Sequence, residues 1–161
     1  MSSRRKMAAF AAGAVVAALA AGTLVRPDHT NPPTDPAHTL RSRIGNTSAL
    51  ADVVDRACGD CHSNATEWRW YTRVAPLSWI MASAVRKGRD AVNFSEWAAY
   101  SPAQRRALLE QSCRDARTGT MPVRAYLTFR PDAQLSARDV ETICTTSQKE
   151  VHDANDEGSR F

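Results

Sequence analysis

The chain has 161 residues, 43% of them hydrophobic, four cysteines and a formal net charge of +4. That length holds one domain, or one small domain with a targeting segment. The apolar share excludes wholesale disorder, and four cysteines are too few for a disulfide-dense scaffold.

Charge is unevenly spread. Arg4, Arg5, Lys6 and Arg26 carry four of the 21 basic residues, and 17 basic face 17 acidic residues from Pro27 onward. A neutral body lacks the clustered Lys and Arg of a nucleic-acid surface, so no nucleic-acid partner is expected.

Residues 1–26 read as a signal peptide or signal anchor. Ser2 to Lys6 form a positive n-region, and Met7 to Val25 is an apolar run of 19 residues. Ala18-Leu19-Ala20 has the small-x-small pattern of a signal-peptidase site. The run is also long enough to span a bilayer. Ser3-Arg4-Arg5 lacks the rest of a twin-arginine pattern. In either reading the basic end stays in the cytoplasm and the remainder is exported to the periplasmic side, anchored or soluble.

Residues 27–46 read as an extended linker, because Pro27, Pro32, Pro33 and Pro36 interrupt any helix. His29 and His38 are expected there as solvated side chains.

Residues 47–148 read as an all-α domain. Thr47 or Ser48 caps a helix with Leu50, Val53, Val54 and Ala57 on one face. Pro76 stands at the first position of a second helix, striped by Leu77, Ile80, Met81, Ala84 and Val85, and Gly88 is placed to end it. Ser95-Glu96-Trp97 starts a short turn or helix. Ser101, Pro102 and Gln104 form a capping-box start, and Gly119 closes that helix. Ser136 and Asp139 open the last one. No alternating strand pattern of useful length is present. Residues 149–161 form a polar tail that is expected to fray.

The chemistry lies at Cys58-Gly59-Asp60-Cys61-His62. C-x-x-C-H is the attachment motif of c-type haem. Two thiols at this spacing reach the two vinyl groups of one porphyrin edge, and the next histidine meets the iron as proximal ligand. A thioredoxin-like pair would need a βαβ context, and none is visible. Structural zinc would need a second ligand pair, whereas Cys113 and Cys144 are single and far apart. A short-range disulfide would not need His62.

Met121 is the candidate sixth ligand, since it sits between Gly119-Thr120 and Pro122 on a restricted loop. Met81 is the rival, but it belongs to an apolar helical stripe, and His152 lies in the polar tail. Trp79 and Arg89 are candidate donors to haem propionates. Nine of the eleven aromatics fall between Trp68 and Phe129. They are available to cover a flat apolar cofactor or to pack as ordinary core. Cys113 and Cys144 lie on inward faces of different helices. In an exported chain they form a disulfide or remain two buried thiols.

The run from Asn31 to about Cys144 resembles the small bacterial haem-binding domain family. The matching pieces are Asn31-Pro32, Cys58 to Asn64, Trp68 to Tyr71 and Ala75 to Trp79. Gly88-Arg89, Asn93 to Trp97, Met121-Pro122 with Tyr126, and Leu135-Ser136 complete the set. The resemblance implies a cytochrome c-like helical domain around one covalent haem c, and its Met-Pro pair supports Met121. The family's histidine before Gly-Arg is absent here, where Ala84 and Val85 stand. Its histidine after the tyrosine is replaced by the run Phe129-Arg130-Pro131.

The expected function is that of an exported monohaem c-type cytochrome. It carries single electrons to or from a redox protein and is not an enzyme. The alternatives are a haem enzyme or gas sensor with an open distal position, and a haem subunit of a larger membrane redox complex.

Overall fold

The alanine-rich run near the N-terminus forms α1, Ser3–Leu24, in the computed structural model. The structure describes residues 3–24, 27–45 and 48–146. Alanine and leucine favour helix, and no polar face interrupts them. This helix is long and apolar enough to cross a membrane, and none of its apolar window is buried against the domain.

The proline-rich stretch is more ordered than its composition predicts. A 3-10 turn spans Pro36–His38, with the Asp35 carboxylate accepting from the Ala37 N–H. Helix α2, Leu40–Ile44, follows, with the Thr39 hydroxyl accepting from the Ser42 N–H. Leu40 is only 2% exposed and enters the main core. The extended-linker expectation is therefore corrected over these residues. Pro36 occupies a first-turn position, where its missing N–H costs nothing, and Leu40 gains burial.

Helix α3, Ala49–Ala57, places Leu50, Val53 and Val54 inward and runs directly into the short helix α4, Gly59–His62. Helix α5, Leu77–Ala91, does not stop at Gly88 as expected but passes through it. A Cβ at Gly88 would stand 2.4 Å from the Cys61 carbonyl oxygen. The glycine serves close helix packing, not termination. A 3-10 segment, Phe94–Ala99, turns the chain.

Helix α6, Pro102–Thr118, opens with the Ser101–Gln104 capping box and ends at Gly119 in the left-handed conformation. A short helix α7, Arg124–Leu127, follows. The last helix, α8, covers 137–146 of the described residues. Ser136 and Asp139 cap it reciprocally: each side chain accepts from the other's backbone N–H, at 2.9 and 3.2 Å. No strand occurs among the described residues. The polar tail from Lys149 lies outside them.

The main core joins Leu40, Leu50, Val53, Val54, Phe94, Trp97, Leu109 and Ile143. A disulfide between Cys113 and Cys144, S–S 2.01 Å, ties α6 to α8. The pair closes a separation of 31 residues, which restricts the unfolded chain by about 3–4 kcal/mol.

Candidate functional site

The C-x-x-C-H motif is wound into α4. Cys58 serves as its N-cap residue, and the Cys61 and His62 amides both donate to the Cys58 carbonyl, at 3.1 and 2.9 Å. The Ser63 hydroxyl closes the turn on the Gly59 carbonyl at 2.7 Å. Gly88 of α5 lets that helix lie directly on the Cys61 backbone. A side chain there would push α5 and α4 apart.

Cys58, Cys61 and His62 line one wall of a cavity that is partly open to solvent. Leu50, Val54, Phe94, Leu108, Leu109 and Ile143 supply apolar walls. Met121, Pro122 and Val123 line it from the loop after α6. That loop is held by the α6 C-terminus. The left-handed Gly119 turns the chain back, and the Asp115 carbonyl accepts from the Thr120 N–H at 3.0 Å and the Met121 N–H at 3.3 Å. Met121 is 41% exposed.

The electrostatics suit an iron ligand at His62. Its Nδ1 lies 3.2 Å from the Val92 carbonyl. A carbonyl can only accept, so Nδ1 carries the proton and Nε2 keeps a free lone pair. Burial pushes the imidazole below its ordinary pKa, which favours this neutral, ligating form. Burial likewise pushes the Cys58 thiol up to about 12 and the Cys61 thiol up to about 11. Both sulfurs are unpaired. Cys113 and Cys144 are bonded to each other, so they cannot complete a four-cysteine zinc site.

A buried polar cluster supports the motif from behind, and the sequence reading missed it. Asp60, between the two cysteines, accepts from the Tyr126 hydroxyl at 2.7 Å and the Arg130 guanidinium at 2.6 Å. Its other oxygen accepts from the Glu67 N–H at 2.9 Å. Asp132 holds Arg130 from the far side at 2.9 Å. Burial and the Asp60 bond raise the Tyr126 phenol well above its usual range. The available signal was Asp60 itself, because an acid wound into a buried turn requires partners.

The other expected residues lie apart from the cavity. The Arg89 guanidinium is taken up by the Ser63 carbonyl at 2.8 Å, the Thr66 hydroxyl at 2.9 Å and the Asn31 side-chain carbonyl at 2.9 Å. The Trp79 indole N–H donates to the Gly22 carbonyl at 3.4 Å. Neither side chain lines the cavity. Met81 packs beside Ala57 and Tyr126. His29 is not simply solvated; it stacks on Trp68 with ring centroids 4.4 Å apart. His38 stays exposed beside Asp35. His152 lies outside the described residues. Of the clustered aromatics, Phe94 and Tyr126 line the cavity, while Trp97 lies in the core behind.

The donor set and the walls fit a haem: an apolar slot, two thiols on one turn, a neutral imidazole beside them and a thioether on the loop after α6. A family model described as a haem-binding domain matches residues 17–149 of the chain. No curated protein and no solved structure matches it.

Proposed function

The chain belongs to the haem-binding domain family, and on that premise we propose that it is an exported monohaem c-type cytochrome carrying single electrons. The observation that carries the reading is the cavity that Cys58, Cys61 and His62 line together with Met121. Bound there, the haem supplies a one-electron couple.

The chain's own residues do the rest. Cys58 and Cys61 would hold the haem covalently, each S–H adding across a vinyl double bond, sulfur to one carbon and hydrogen to the other, with no net redox change. His62 offers Nε2 because Val92 holds its Nδ1–H. Met121 offers its thioether from the loop that Gly119 and Asp115 position. His62 and Met121 would both ligate the iron, a donor pair that would raise the reduction potential and leave no position for a substrate. Leu50, Val54, Leu109 and Ile143 give the haem an apolar surround. On this reading the chain carries electrons and is not an enzyme. It works outside the cytoplasmic membrane with a redox protein, free or in a larger complex.

The test is the coordination state of the purified, haem-loaded protein. A six-coordinate, low-spin visible spectrum that Met121→Ala converts to high spin supports the carrier. One observation favours a second reading, a gas sensor or enzyme with an open distal position. Met121 is 41% exposed, and the polar side chains of Gln111, Ser112 and Asp115 line the cavity with it. Rapid carbon monoxide or cyanide binding by the unsubstituted protein would establish that reading instead.

A further inference from the structure

The surface around the start of α5 is apolar and open. Trp70 is 78% exposed, Val74 46%, Trp79 48% and Ile80 56%. Buried polar partners do not explain these side chains, since the indole of Trp79 reaches outward to the end of α1. Its N–H donates to the Gly22 carbonyl, one of the last carbonyls of α1 and so without an intrahelical partner. The same glycine lies against the domain: a Cβ there would meet the Ala75 Cβ at 3.3 Å. The apolar patch is therefore continuous with the C-terminal end of α1.

That continuity identifies what covers the patch. Helix α1 has 22 residues, about 33 Å at 1.5 Å per residue, against a hydrocarbon core about 30 Å thick. Arg4, Arg5 and Lys6 hold its N-terminal end in the cytoplasm. Its C-terminal end then emerges at the outer headgroup layer, where tryptophan is enriched because its ring is apolar and its N–H polar. Arg73, exposed between Trp70 and Val74 in the chain, brings a cation to the lipid phosphates.

The connection beyond α1 is also tied down. Arg89 binds the Asn31 side chain. The Trp68 indole donates to the same Asn31 carbonyl oxygen at 3.1 Å, and the Asn31 amide donates to the Thr66 carbonyl at 2.9 Å. Few residues separate this strap from the helix end, so the domain has little freedom to tumble away.

We propose that α1 is retained as an anchor and that Trp70, Val74, Trp79 and Ile80 lie in the outer headgroup layer of the bilayer that α1 crosses. Ala91 and Val92, which line the haem cavity, lie at the other end of α5, about 18 Å from Trp79 along the helix. The docked face and the cavity thus occupy opposite ends of one helix, leaving the cavity for a protein partner.

The test uses the full haem-loaded chain in vesicles of phosphatidylethanolamine with a minority of phosphatidylglycerol. Val74→Cys, Ile80→Cys and, on the exposed face of α6, Ala107→Cys are each spin-labelled. The unsubstituted chain serves as the labelling blank; label on Cys58 or Cys61 there would count against the thioethers, not against the docking. The expected result is a several-fold higher ratio of oxygen to nickel-chelate collision at positions 74 and 80 than at 107. Equal accessibility at all three sites would overturn the proposal. So would a fall in both collision rates together, which marks burial against protein, or recovery of a soluble chain beginning at Ala21.

Discussion

Replacing Gly88 with alanine tests the packing that holds the haem motif. The new Cβ would meet the Cys61 carbonyl oxygen at 2.4 Å, its carbon at 2.9 Å and the Cys61 Cβ at 3.1 Å. Two of these are backbone atoms in a helical turn, so no side chain can swing aside. Restoring ordinary contact requires α5 to move about 1 Å from α4. The Val92 carbonyl travels with α5, and its 3.2 Å contact with His62 Nδ1 would stretch to about 4 Å, beyond hydrogen-bond range. Overpacking costs about 1–3 kcal/mol, and the lost hydrogen bond about 1 kcal/mol. The gain in helix propensity returns about 1 kcal/mol. The net expectation is a loss of about 1–3 kcal/mol, read by urea unfolding of the haem-loaded chain with an unchanged m-value. The His62 ligand band should shift as well. A variant as stable as its parent, or stabilised by the helix-propensity gain alone, would refute the close approach of α5 to the motif.

Removing the covalent tie with Cys113→Ser and Cys144→Ser together should lower unfolding free energy by about 3–4 kcal/mol, measured under identical non-reducing conditions. Arg130→Met leaves the Asp60 carboxylate buried without its cation and should cost about 3–5 kcal/mol. Tyr126→Phe removes one hydrogen bond to the same carboxylate and should cost about 1.5–3 kcal/mol. Equal effects from the two would contradict the charge assignment. The Ser136 amide and hydroxyl, with Arg56 beside them, hold the Asp139 carboxyl below its ordinary value. Because its folded pKa is depressed, its contribution is full above the unfolded value near 4 and fades as pH falls toward the folded one. Asp139→Asn should therefore flatten the acid limb of a stability–pH profile, and an unchanged limb would remove this carboxylate from the account.

Local signals were readable where one short segment decides the outcome. The Ser101–Gln104 box, the Ser136–Asp139 pair and the left-handed Gly119 are set by neighbours within a few residues, and the structure has each at its expected place. The inward faces of α6 and α8 brought Cys113 and Cys144 into bonding range for the same reason. Gly88 shows where such signals end. A terminating glycine and a close-packing glycine are the same residue, and the difference lies in Cys61, which is distant in sequence. Asp60, Tyr126 and Arg130 form another long-range set: a sequence separation of 70 residues between acid and base leaves no periodic trace. Arg89 and Trp79 also make long-range contacts without a local signal: both satisfy carbonyl groups of the N-terminal segment and its neighbours.

The central claim is a haem held covalently by Cys58 and Cys61 in the cavity that His62 and Met121 share. Intact mass of the denatured protein tests it most directly. A chain heavier by one haem is expected, with the added mass lost in the Cys58→Ser, Cys61→Ser double variant. A bare polypeptide mass, with haem released on denaturation, would contradict it.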